Sequence, residues 1–87
     1  MKRRSRLEIY MDVLVALLDG PKNPTKLMYA TNLSWVPVQE CLNVLINRGL
    51  VQESRRSYRR RIYTLTQTGS EMIGRYKDFL KELAQTS

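Results

Sequence analysis

The sequence contains no histidine and only one cysteine, Cys41, among its 87 residues. A single cysteine cannot form an internal disulfide, and without histidine it cannot build a metal site. Cys41 falls on an apolar helical face, which favours a small core residue. Catalysis near neutral pH usually requires a tuned histidine, cysteine, lysine or carboxylate pair in a concave site, whereas the acidic residues here are scattered along helical faces. These absences, with that of a glycine-rich phosphate loop, argue against an enzyme and predict no cofactor.

Long hydrophobic runs are missing as well, since no apolar stretch approaches the roughly twenty residues of a membrane span. The opening MKRRSR resembles the basic start of a signal peptide, but Glu8 and Asp12 interrupt the apolar stretch behind it and no small-residue cleavage site follows. The sequence therefore predicts a cytoplasmic protein, associated with the nucleoid if its partner is DNA. An apolar fraction of 43% predicts a single folded domain over residues 1–87.

Positive charge is what the sequence has in excess. Fifteen Lys and Arg against eight Asp and Glu give a formal net charge of +7. A balance this basic favours a polyanionic partner, most often nucleic acid and less often an anionic membrane surface. Five of the cations fall within the seven residues RRSYRRR, from Arg55 to Arg61. Guanidinium groups match phosphate oxygens with paired donors, so this cluster is a candidate phosphate-binding element rather than only a solvated loop.

Capping residues and apolar spacing predict the first helix from Ser5 to Asp19. Ser5 and Glu8 form a capping box, and Gly20-Pro21 ends the segment. Apolar residues recur in it at helical spacing and are predicted to face the core: Leu7, Tyr10 or Met11, Leu14, and Leu17 or Leu18.

A second, shorter helix is predicted from Asn23 as cap to about Thr31, with Pro24 in its first position. The tight connection 31–33 contains an asparagine, which tolerates unusual backbone angles. A third helix is capped by Ser34, extends to Arg48 and ends at Gly49. The predicted inward residues of these two helices are Leu27, Met28, Val38, Cys41 or Leu42, Leu45 and Ile46.

Two short alternating runs, 50–53 and 62–65, predict a hairpin, with Tyr63 and Leu65 sealing the core and the arginine cluster in its loop. The last helix begins at Thr66 or Thr68 and runs to about Ala84. Residues 68–71 (TGSE) offer a second capping box at its start.

Two helices joined by a short turn, the second longer than the first, are typical of a DNA-reading helix-turn-helix, and a hairpin directly behind them makes it a winged helix. The predicted fold is therefore α+β and mostly helical: three helices, a two-stranded β wing and a C-terminal helix. In this arrangement helix 34–48 reads DNA and the wing 54–61 grips phosphates.

The segments NLSWVPVQECLNVLINRGLV (32–51) and RRIYTLTQTGSEMI (60–73) resemble the archaeal winged helix-turn-helix proteins. The Tyr-x-Leu-Thr-x-x-Gly entry into the last helix is present as Tyr63, Leu65, Thr66 and Gly69, and RRSRLEIYMDVL (3–14) is similar to the first helix of that family. The resemblance covers almost the whole chain. It implies a small DNA-binding regulator of transcription, or a chromatin-associated protein, often dimeric through the C-terminal helix.

The candidate DNA-contacting residues divide into two groups. On helix three, Gln39 and Asn43 are four residues apart on one face, and each can pair bidentately with adenine. The base-reading candidates are Trp35, Pro37, Gln39, Glu40 and Asn43. The candidate phosphate contacts are Arg55, Arg56, Arg59, Arg60 and Arg61 in the wing, Ser34, Lys26, Arg3 and Arg4, with Tyr58 and Tyr29 as lesser candidates.

The last helix carries an apolar seam predicted to form a homodimer. Ile73, Tyr76, Leu80 and Leu83 follow a 3-4-3 spacing, with Met72 and Phe79 alongside. The alternative is that all six residues pack within one monomer.

Two other functions remain open at this point. One is a protein-interaction module that binds through the apolar patch Trp35, Val36 and Pro37. The other is an architectural protein that coats DNA without sequence preference.

Overall fold

The computed structural model describes residues 4–57 and 60–85, with the backbone alone for residues 56 and 57. The elements in chain order are α1 (Arg6–Leu18), α2 (Pro24–Thr31), α3 (Trp35–Asn47), β1 (Val51–Ser57), β2 (Arg60–Leu65) and α4 (Gln67–Gln85). The predicted order of helices and hairpin is therefore confirmed, and with it the α+β winged helix-turn-helix. Of the residues considered above, Arg3, Tyr58 and Arg59 lie outside the described residues.

The N-termini of the first two helices form as their capping residues predict. The Ser5 hydroxyl accepts from the Glu8 amide at 3.1 Å, and the Glu8 carboxylate accepts from the Ser5 amide at 3.4 Å, which completes the capping box. Asn23 caps α2 by accepting from the Lys26 amide at 2.8 Å. Satisfying these amides fixes where each helix begins.

The turn between α2 and α3 depends on one residue in the left-handed region. Asn32 ends α2 with φ 56° and ψ 43°, a conformation that asparagine tolerates better than most residues. Its amide and that of Leu33 return to carbonyl oxygens of α2, at Tyr29 and Met28. The chain therefore turns between α2 and α3 within three residues, closed by these two hydrogen bonds.

The core is formed where α1, α2 and α3 meet the base of the hairpin and the start of α4. Its buried apolar residues are Val13, Leu14, Leu17, Leu27, Val38, Cys41, Leu42, Leu45, Val51, Tyr63 and Ile73. The predicted stripe of α3 is confirmed at Val38, Cys41, Leu42 and Leu45, whereas Ile46 is only partly buried against the core. The prediction for Leu7 is wrong, because this residue is 62% exposed. In the first turn of α1 it is Ile9, not Leu7, that packs against the core.

The hairpin extends further than its apolar residues indicate. β1 and β2 pair antiparallel from Val51↔Leu65 to Ser57↔Arg60, with an irregularity between Arg55 and Ser57. The predicted strands 50–53 and 62–65 are therefore too short, and the placement of the whole arginine cluster in a loop is wrong. Once the register is set at the core, backbone hydrogen bonds continue the ladder into solvent, where charged side chains are tolerated on both faces.

A third chain segment anchors the base of the hairpin. Lys22 and Tyr63 exchange two backbone hydrogen bonds, at 3.0 and 2.9 Å, in an isolated antiparallel bridge. Lys22 lies in the connection that leads into α2. The bridge therefore holds the hairpin against the start of α2.

The entry into α4 combines a cap with a close backbone approach. Thr66 accepts from the Gly69 amide at 3.0 Å and donates its hydroxyl to the Gly49 carbonyl at 2.6 Å. Thr66 is thus the cap of α4, and the capping box proposed for residues 68–71 is wrong, because Thr68 already lies inside the helix. Gly69 is buried against the Leu50 carbonyl and Leu65, which leaves no room for a side chain.

Candidate nucleic-acid interface

The outward face of α3 carries the polar residues proposed to read bases. Gln39, Glu40 and Asn43 are exposed, whereas Val38 and Leu42 on the opposite face are buried. The burial pattern therefore leaves one amide-bearing face of the second helix of the motif open to a partner. Amide side chains both donate and accept, as bidentate adenine recognition requires.

The first turn of α3 carries both exposed and half-buried apolar side chains. Trp35 is half-buried and packs against the core. Val36 is 62% exposed, and Pro37 is half-buried beside α1, where it lines a cleft with Arg6 and Tyr10.

Ser34 occupies the cap position of α3 without performing the capping hydrogen bond. The caps of α1, α2 and α4 each accept from the amide three residues further on, at Glu8, Lys26 and Gly69. In α3 that position is Pro37, which has no amide hydrogen. Within the described part of the chain the Ser34 side chain makes no cap hydrogen bond. Its exposed hydroxyl is therefore available to a ligand at the positive end of the helix dipole.

Two surface clefts lie beside this hydroxyl and beside the wing. The α2–α3 cleft, of about 500 Å³, is lined by Thr25, Met28, Tyr29, Asn32, Leu33 and Ser34. The α2–wing cleft, of about 470 Å³, is lined by Asn23, Pro24, Thr25, Arg60, Arg61 and Ile62. Thr25 lines both clefts, so one lies beside the N-terminus of α3 and the other beside two wing arginines, with α2 between them. Tyr29, which is 84% exposed, lines the α2–α3 cleft.

The register of the wing distributes its arginines over both faces. Arg55 and Arg61 are directly paired across the strands, so their side chains project from the same face, and Arg60 follows on the other. The Arg55 Nε lies 3.2 Å from the Glu53 carboxylate. Burial raises the pKa of Tyr63, and the neighbouring Glu53 charge raises it further. The backbone of Arg56 lies in β1.

The sequence predicts that Arg4 is free to contact phosphate, but in the structure its side chain is hydrogen-bonded within the protein. Its guanidinium donates to the Asp12 carboxylate at 2.8 Å, to the Thr31 carbonyl at 2.7 Å and to the Asn32 carbonyl at 3.3 Å. These acceptors lie on α1 and on the turn before α3. These hydrogen bonds hold Arg4 against the protein, and this structural role has no signal in the local sequence pattern. Lys26 remains exposed on α2.

The apolar seam of α4 is divided by the fold. Ile73 is 1% exposed and belongs to the core of its own monomer, so it is not part of an exposed seam. The remaining residues of the seam lie on the surface, at 38% exposed for Tyr76, 57% for Phe79, 45% for Leu80 and 53% for Leu83. Met72, which lies alongside this seam, is 44% exposed.

Other kinds of site find no support in the part of the chain that the structure describes. No group of three or more His, Cys, Asp or Glu residues there is placed to hold a metal ion. Among the same residues no helix is both long and apolar enough to cross a membrane.

The family follows from sequence and fold together. A family model for the winged helix-turn-helix matches residues 3–84. The chain belongs to the winged helix-turn-helix family. An uncharacterized protein of Methanocaldococcus jannaschii is 26% identical over 70 residues, which are 80% of this chain and 67% of that protein.

Solved structures show the same fold. Sso10a-2, described as a DNA-binding protein from Sulfolobus solfataricus, superposes with a TM-score of 0.78 at 23% identity, over 95% of this chain and 85% of that protein. At this identity the likeness shows the fold alone. BpsR of Bordetella bronchiseptica, whose DNA binding is described as regulated by 6-hydroxynicotinic acid, gives a TM-score of 0.78 at 26% identity. The superposition covers 90% of this chain but only 57% of BpsR.

Proposed function

We propose that this protein is a double-stranded DNA-binding regulator of transcription that inserts α3 into the major groove and grips phosphates with the wing. The observation that carries the proposal is that Gln39 and Asn43 are exposed on α3, while two clefts that share Thr25 lie beside Ser34 and beside the wing residues Arg60 and Arg61. Family membership and the DNA-binding proteins among its structural neighbours support it. No catalytic step enters this function.

The charge distribution explains why α3 needs the wing. The exposed face of α3 carries Glu40 and has no Lys or Arg before Arg48, so it contributes specificity but little attraction to phosphates. Arg55 and Arg61 oppose each other directly across the strands. Like charges in that position repel each other and destabilise a free hairpin, and an anion bound between them reduces this repulsion. We therefore assign phosphate attraction to the wing and base reading to α3.

A homodimer through α4 is part of the proposal. The helix is 19 residues long, about 28 Å, and its distal half presents Tyr76, Phe79, Leu80 and Leu83 to solvent. The radius of gyration is 13.8 Å, against about 12 Å for a compact domain of this length. An apolar stripe on a projecting helix is the pattern of a paired helix, and two protomers would then contact two half-sites about one helical turn apart.

The first test is a titration of fluorescent duplex DNA at several salt concentrations, with a random-sequence duplex and a selected-site pool run in parallel. About five neutralised phosphates per protomer give a slope of log affinity against log salt near −4 to −5. Enrichment in the pool distinguishes a regulator from an architectural protein. A flat salt dependence would contradict DNA binding and would favour a protein partner at Val36, the most exposed residue of the apolar patch.

Paired substitutions assign the two roles. Replacing Arg60 and Arg61 with Ala is expected to weaken binding to every sequence and to make the slope shallower by about 2. The charge-matched control is Arg75 and Lys77 on α4, whose replacement leaves the slope nearly unchanged. Replacing Gln39 and Asn43 is expected to reduce the ratio of selected to random affinity, and an equal loss on both duplexes would refute base reading.

The dimer is tested by molar mass in solution. Sedimentation of the wild type at micromolar concentration is expected to give twice the 10.2 kDa of one chain. Replacing Phe79 and Leu80 with Lys is expected to give 10.2 kDa, because burying two ammonium groups in an apolar seam is strongly unfavourable. A monomeric wild type would refute the paired helix.

A further inference from the structure

Arg4 bridges three parts of the DNA-reading motif. Its Nη1 lies 2.8 Å from the Asp12 Oδ2 in α1 and 2.7 Å from the Thr31 carbonyl at the end of α2. Its Nη2 lies 3.3 Å from the Asn32 carbonyl in the turn. The side chain is 32% exposed and that of Asp12 is 42% exposed. One guanidinium therefore connects the first helix to the turn that sets the direction of α3.

The acceptors explain why a guanidinium is bound there. The last carbonyl groups of a helix have no partner within the helix and carry the negative end of its dipole. At the end of α2 the amides of Asn32 and Leu33 are already used to close the turn, whereas the carbonyls of Thr31 and Asn32 point outward to Arg4. The planar guanidinium reaches two carbonyls and a carboxylate at once, which a lysine ammonium does not do with the same geometry.

We infer that Arg4 is a positioning residue for DNA recognition: held by Asp12, it fixes the α2–α3 turn and so the orientation of α3, and it is not a phosphate contact. The inference rests on the proposed function of α3. Its physical reason is that Trp35, the first residue of α3, is only three residues beyond Asn32. A change of angle in this turn displaces Gln39 and Asn43 from the base edges they would read.

The test separates positioning from phosphate contact by salt dependence. Arg4→Ala is expected to lower affinity for a selected duplex about tenfold at every salt concentration, with the slope unchanged. Asp12→Asn is also expected to weaken binding to the selected duplex. The double variant is expected to bind this duplex no more weakly than Arg4→Ala alone. A purely electrostatic role predicts the opposite for Asp12→Asn, since removing a negative charge tightens DNA binding. Arg6→Ala, two residues away and exposed, controls for the loss of one positive charge.

Three outcomes overturn the inference. A slope shallower by about 0.9 in Arg4→Ala, with tighter binding of Asp12→Asn, would make Arg4 a phosphate contact. Unchanged affinity in both variants would remove any role in recognition. The third outcome is measured without DNA, by hydrogen exchange at the Asn32 and Leu33 amides. The inference predicts that this exchange accelerates about tenfold in Arg4→Ala but not in Arg6→Ala. Unchanged exchange overturns the inference even if the wild type fails to bind DNA.

Discussion

Replacing Gly69 with alanine tests the packing that joins α4 to the rest of the motif. An added Cβ would overlap the Leu50 carbonyl oxygen and approach the Leu65 Cδ1 to 2.7 Å. The leucine methyl group can move, but the carbonyl belongs to the backbone between α3 and β1 and also accepts from the Thr66 amide at 3.1 Å. The substitution therefore forces α4 away from the hairpin or distorts its first turn.

The magnitude follows from two opposing effects. Overpacking of this kind costs about 3 kcal/mol, while alanine in a helix interior gains about 1 kcal/mol over glycine. Gly69→Ala is thus expected to lower the free energy of unfolding by about 2 kcal/mol. Gly74→Ala in the same helix is the matched control, because among the described residues its added Cβ has no atom within 4 Å. This control is expected to gain about 1 kcal/mol.

Urea or thermal unfolding of both variants measures the difference. A gap of about 3 kcal/mol corresponds to melting temperatures roughly 12–24 °C apart for a domain of this size. Equal stabilities would refute the reasoning, because helix propensity alone predicts the same gain at both positions. If the chain is dimeric, the measurements are made at one protomer concentration.

Two further predictions concern side chains of α3. Burial raises the pKa of Cys41 to about 12 from 9.0, so the unfolded thiol ionises first and stability is expected to fall between pH 9 and 12 by up to about 1.4 kcal/mol per pH unit. If a Cys41→Ala variant loses as much stability as the wild type between pH 9 and 12, the loss is not caused by ionisation of Cys41. Ser34→Ala is expected to cost under about 0.3 kcal/mol in the wild type but about 1 kcal/mol in a Pro37→Ala background, where the cap can form. If urea unfolding shows that Ser34→Ala lowers the free energy of unfolding equally in both backgrounds, Pro37 is not the reason that the cap is missing.

Local patterns predicted most of the helical part of this fold. The caps at Ser5 and Asn23 and the turn at Asn32 depend on residues within four positions of each other. For the same reason the order of elements could be predicted without any tertiary information. The choice between Thr66 and Thr68 could not, because the hydroxyl of Thr66 also donates to Gly49, 17 residues away.

The candidate interface was less accessible to sequence reasoning. That Gln39 and Asn43 share an exposed face follows from helical periodicity. The extension of the wing does not, because a β ladder continued into solvent requires no apolar alternation. The hydrogen bonds of Arg4 could not be predicted either, since the carbonyl groups of Thr31 and Asn32 that accept them are 27 and 28 residues away.

The sequence by itself determined the starts of α1 and α2, the basic character and the winged helix-turn-helix order, because capping, periodicity and net charge are local or summed properties of the chain. Tertiary structure alone decided which cations remain exposed and which are used internally, and that Ile73 belongs to the core whereas Phe79 remains on the surface. The physical reason is that exposure and ion pairing depend on which segments meet in space. An arginine can bind either a phosphate or the carbonyl end of a helix, and the fold determines which of them is near.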